Sequence, residues 1–124
     1  MKNFHSKLPA ALYYLIGAGS FLFGLFLFYQ TLSTAHENHV EMELGSALVF
    51  TGLVCFWCGS DFGRPKAVRF FVIVFFTLLA LVHWLEFFAG NLPVASPLYN
   101  SLPMAGLVIA ELMIGKQRKV NVAA

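Results

Sequence analysis

From Leu8 to Leu32 the chain carries no charged residue. An α-helix rises roughly 1.5 Å per residue, so about 20 apolar residues cross the ~30 Å hydrocarbon core of a bilayer. A run of this length without charge is therefore a membrane span before it is anything else. Three more follow, from near Val40 to near Ser60, from Ala67 to Ala89, and from about Leu92 to Gly115. Together they use nearly the whole chain. Hydrophobic residues make up 59% of the sequence and charged residues 11%, against about 25% charged in a typical soluble domain. A chain this short has too high a surface-to-volume ratio to hide so much apolar area from water. The expectation is an all-α protein: one domain over residues 1–124, a four-transmembrane-helix antiparallel bundle at 8–32, 40–60, 67–89 and 92–115. The short connections make sequence neighbours antiparallel. The first run is too long for a signal-peptide core and further spans follow it, so it is read as a retained span.

The basic residues set the orientation. They occur at Lys2 and Lys7, then at Arg64, Lys66 and Arg69, then at Lys116, Arg118 and Lys119. The first and third connections have none. Lysine and arginine stay on the cytoplasmic side, so the N-terminus, the middle connection and the C-terminus are expected in the cytoplasm. The net charge of +2 is accounted for by this alternation. There is no dense basic run on a polar face, so a nucleic-acid partner is not expected. Size and charge bias suit a bacterial cytoplasmic (inner) membrane.

Local signals mark the ends. Thr34-Ala35-His36-Glu37 fits a capping box for the second helix. Gly63-Arg64-Pro65 is a turn, and Pro65 suits the first position of the third helix. Gly90 can adopt the left-handed conformation that ends that helix. Ser96-Pro97 offers an N-cap and a first-turn proline for the fourth helix, and Pro103 is expected to kink it or to end a short preliminary turn. Gly17, Ser20 and Gly24 in the first helix, with Gly45 and Gly52 in the second, are small residues of the type that lets helices approach closely in lipid. The numerous phenylalanines, among them Phe23, Phe26, Phe70 and Phe71, point around more than one face. They are expected to meet lipid, a lipid-like ligand or another subunit.

Ionisable residues inside or beside a span are functional candidates. His36, His39 and Glu43 would share one face of the second helix, and His83 and Glu86 one face of the third. Such a set could ligate zinc, copper or non-haem iron. His83 could instead be an axial ligand to haem or chlorin, with Glu86 beside it. The plainer reading is a solvated acidic helix start and a His–Glu pair near the interface, with no cofactor. Glu111, near the inner end of the fourth span, reads either as a side chain snorkelling toward the interface or as a protonatable transport residue. Cys55-Phe56-Trp57-Cys58 spells a CxxC, but it lies deep in a helix and on the reducing side, so both thiols read as small buried side chains.

The layout resembles the DoxX-like group of small four-helix membrane proteins. The likeness rests on Glu43-Leu44-Gly45 opening the second helix, the turn at Gly63-Arg64-Pro65, Asn100-Ser101-Leu102-Pro103 near the start of the fourth, and Glu111 within it. It implies a four-helix bundle associated in some members with redox or stress complexes, and transfers no catalytic residue. The leading expectation is a non-catalytic accessory or scaffold subunit, with the bilayer and a membrane-protein partner or a second copy as its contacts. The alternatives are a metal- or cofactor-binding redox protein built on the outer histidines, and a small proton-coupled transporter using Glu111 or Glu86.

Overall fold

The computed structural model describes residues 2–33, 39–60 and 66–123, with side chains described within 7–32, 40–60 and 66–123. Four helices account for nearly all of it: α1 (Lys2–Ser33), α2 (His39–Ser60), α3 (Lys66–Phe88) and α4 (Ala95–Ala123). Each is long and apolar enough to cross a membrane. Their outward surfaces carry large apolar side chains such as Leu15, Leu32, Phe71 and Phe88, all more than half exposed. A continuous apolar exterior of this kind is matched to hydrocarbon rather than to water.

The helices extend past the apolar runs. α1 starts at Lys2, six residues before the expected Leu8, so Pro9 lies inside the helix rather than at its start, fully buried. α4 runs on to Ala123, because Gly115 does not stop it. A glycine costs a helix about 1 kcal/mol relative to alanine, and Lys116, Gln117, Arg118 and Lys119 are good helix formers that continue the turn. The start of α4 is also later than expected, at Ala95. Ser96 therefore sits in its first turn instead of capping it, with its N–H bonded to the Pro93 carbonyl (3.0 Å). Pro97 falls in that same turn, where a missing N–H is harmless. Pro103 lies within α4, so it ends no preliminary turn.

The end of α3 is set by Gly90, whose φ is +80°. The Gly90 N–H donates to the Phe87 carbonyl (3.0 Å) and the Asn91 N–H to the Glu86 carbonyl (2.9 Å). These two bonds form a Schellman cap. The capping box at Thr34–Glu37 and the turn at Gly63–Pro65 lie outside the described residues.

Packing is most extensive between α1 and α2. The buried positions of α1 are Pro9, Tyr13, Gly17, Ser20, Gly24 and Leu27, and those of α2 include Gly45, Leu48, Gly52, Cys55 and Gly59. Both sets advance by steps of three and four, the period of two helices in a knobs-into-holes seam. Partners descend along α2 as they ascend along α1. A Cβ on Gly17 would lie 2.9 Å from the Gly52 carbonyl oxygen, and one on Gly24 2.7 Å from that of Gly45. Backbones this close leave no room for a side chain. Between the two glycine pairs, buried Ser20 donates its hydroxyl to the Leu48 carbonyl at 2.8 Å. α4 packs against both α1 and α3, while α2 and α3 meet least; among the described residues no Cα of α1 lies within 8 Å of one in α3, nor any of α2 within 8 Å of one in α4. The four helices thus form a ring.

Candidate functional site

On α3 the inward stripe is Arg69, Val72, Phe76 and Ala80, and on α4 it is Leu107, Ala110 and Ile114. Arg69 is in phase with apolar residues, so the helix itself aims a guanidinium at the core. Its side chain is 2% exposed. An unpaired charge there would be very unfavourable. Its partner is Glu111, which sits on the same turn as Ala110 and Ile114. Arg69 Nε donates to Glu111 Oε1 at 2.6 Å, and the hydroxyl of fully buried Tyr13 donates to the same oxygen at 2.8 Å. One carboxylate therefore ties α1, α3 and α4 together. The Glu111 side chain is 28% exposed, so the cluster has one edge toward the outside. Cys55, Cys58, Val72, Phe76, Leu107 and Ile114 pack with Tyr13 in one apolar core. Both cysteines are buried and unbridged.

Glu111 is thus turned inward onto two donors rather than snorkelling toward the interface. By sequence Arg69 groups with the basic residues of the middle connection, and Tyr13 belongs to no motif. A signal was present: Tyr13 is four residues before Gly17 on the α1 seam, and Arg69 is three before Val72 on the α3 stripe.

Among the described residues the other candidates form no shared cluster. His36 lies outside the described residues, and of His39 only the helical backbone is described. Glu43 is exposed on α2. His83 is half-buried on α3, with Nδ1 2.7 Å from the Leu79 carbonyl oxygen. A carbonyl can only accept, so Nδ1 carries the proton. Glu86 is exposed and accepts from Asn91 Nδ2 at 2.7 Å, which joins the two residues that also make the Schellman bond. His83 and Glu86 each have a different partner, and Glu86 belongs to the helix cap. Among the described residues no group of three or more His, Cys, Asp and Glu is arranged to hold a metal. Gly17, Ser20, Gly24, Gly45 and Gly52 all lie along the α1–α2 contact.

Away from the ion pair, a cavity of about 710 Å³, partly open to the outside past exposed Leu15 and Tyr99, lies among the four helices. His83, Ser96 and Asn100 line it near the α3–α4 connection, and Leu12, Ile16, Phe76 and Leu79 line it toward the apolar core. Trp84 Nε1 donates to Ser101 Oγ at 3.0 Å and holds α3 against α4 beside the polar end. No family model, curated protein or solved structure matches the chain.

Proposed function

We propose that this protein is a multi-pass component of a bacterial cytoplasmic membrane, an antiparallel four-helix bundle with both ends in the cytoplasm. It acts as a non-catalytic accessory or scaffold subunit of a larger membrane complex, in keeping with its DoxX-like layout. The observation that carries this reading is the Tyr13–Glu111–Arg69 cluster. The acid and base that would serve transport or catalysis hold each other and link three helices. What the chain offers to its surroundings is a rigid apolar exterior, to which lipid on some faces and a partner subunit on others would bind. Native mass spectrometry of the protein gently extracted from its own membrane tests the reading. A mass with additional protein subunits in fixed stoichiometry supports it. A lone chain that turns over a substrate, with turnover abolished by Glu111→Gln, overturns it.

A second reading, a cofactor-binding redox protein, is favoured by one observation: His83 lines the cavity with its Nδ1 proton already committed. A stoichiometric tetrapyrrole or metal mass lost on His83→Ala would establish it.

A further inference from the structure

The cavity has a polarity gradient that a generic gap between helices would not need. It follows α1 from Leu12 to Leu27, a span of about 22 Å at the helical rise. Most of that length is lined by leucine, isoleucine and phenylalanine, and Ser20, midway along, already donates to the Leu48 carbonyl. The remaining polar side chains gather where α3 ends and α4 begins. There His83 has Nδ1 bonded to the Leu79 carbonyl, which leaves Nε2 as the ring nitrogen that can accept a hydrogen bond. Asn100 donates one N–H to the Ser96 carbonyl at 2.8 Å and retains a second. No lysine, arginine, aspartate or glutamate lines the cavity.

We propose that this cavity binds a neutral single-chain amphiphile with a hydroxyl head, drawn from the membrane. The head is fixed by donor and acceptor complementarity. A hydroxyl can donate to His83 Nε2 and accept from Asn100, which neither a hydrocarbon end nor a carboxylate does. A charged head is disfavoured because the lining supplies no counter-charge. The length and apolar walls suit one hydrocarbon chain, and the volume falls in the ~300–1,000 Å³ range of small-molecule sites. This site is independent of the accessory-subunit reading, and its outcome leaves the subunit composition untouched.

The test uses the full chain in phosphatidylcholine nanodiscs with a hexadecanol analogue bearing a mid-chain diazirine. Photolabelled residues are mapped by mass spectrometry, with unlabelled hexadecanol, hexadecane and hexadecanoate as competitors. Labelling concentrated on cavity residues such as Ile16, Leu48 and Phe76 is expected. Hexadecanol should compete about five-fold better than hexadecane, the worth of about one net hydrogen bond. His83→Phe should erase that preference and His83→Gln, which keeps an acceptor, should retain much of it. Gly19 lines the cavity with open space at its Cβ, so Gly19→Phe should fill the cavity and lose the label. Circular dichroism checks the variants' folding, and the competitor series on the unaltered protein decides the matter if Gly19→Phe misfolds. Equal competition by hexadecane, preference for hexadecanoate, label spread evenly over the helix exteriors, or a tetrapyrrole already occupying His83 would overturn the proposal.

Discussion

The buried charge of Arg69 is matched by the Glu111 carboxylate, which also accepts from the Tyr13 hydroxyl. Removing one member of such a pair leaves the other charge without compensation, which typically costs about 3–5 kcal/mol, whereas replacing both with apolar side chains is often close to neutral. Glu111 is partly exposed, so the loss should fall at the lower end. Arg69→Met is expected to destabilise by about 3 kcal/mol, and the double variant Arg69→Met/Glu111→Leu should be more stable than that single variant. Unfolding in mixed detergent micelles followed by far-UV circular dichroism measures both. If the double variant is as unstable as the sum of the two singles, the ion pair is not what stabilises this region. Tyr13→Phe removes one hydrogen bond to a charged acceptor and keeps the ring, so a smaller loss of about 1.5 kcal/mol is expected in the same measurement.

At the scale of the elements, the α1–α2 seam and its glycines make a paired prediction. Gly24→Ala places a methyl 2.7 Å from a backbone oxygen that cannot step aside. Overpacking of this kind costs typically 1–3 kcal/mol, so α1 and α2 should separate and the protein should lose about that much stability. Gly19, five residues earlier and outside the seam, has nothing within 4 Å of its would-be Cβ. Gly19→Ala should therefore gain up to about 1 kcal/mol from helix propensity alone. If both substitutions shift the unfolding midpoint in the same direction, the seam is not where the structure puts it. Gly90 gives a third case of a different kind, since its φ of +80° is a strained conformation for any residue with a Cβ. Gly90→Ala should cost about 1 kcal/mol by loosening the cap, visible as faster amide exchange in the last turn of α3.

For the molecule as a whole, the long apolar runs and their punctuation made the four helices legible. A span is specified by about 20 predominantly apolar residues, and the chain supplies four such runs with few charges in them. The helix ends were less legible, because α1 and α4 continue as amphipathic or charged turns where no hydropathy signal marks a stop. The ion pair was the least legible feature. Its members lie 42 residues apart on different helices, and each has an adequate local explanation: Arg69 as a connection charge and Glu111 as an interfacial one. Only the phase of Arg69 with Val72, Phe76 and Ala80 separates it from Lys66, which is exposed. That separation leads to a prediction about membrane orientation. If orientation is set by basic residues free to stay in the cytoplasm, Lys66 and Arg64 should carry more of it than Arg69, whose charge is matched by Glu111 within the helices. Fusions of a reporter enzyme active only outside the cytoplasm, placed after Gly90 and after Ala123, read the topology directly. The first should be active and the second inactive. Arg64→Gln/Lys66→Gln, combined with Asn91→Lys, should weaken that contrast while leaving the stability of correctly inserted protein nearly unchanged. Arg69→Gln should do the reverse, lowering stability with the reporter contrast intact. If Arg69→Gln instead inverts the reporters, its charge acts as a topology signal before the helices assemble, and the ion pair with Glu111 forms only after that choice has been made.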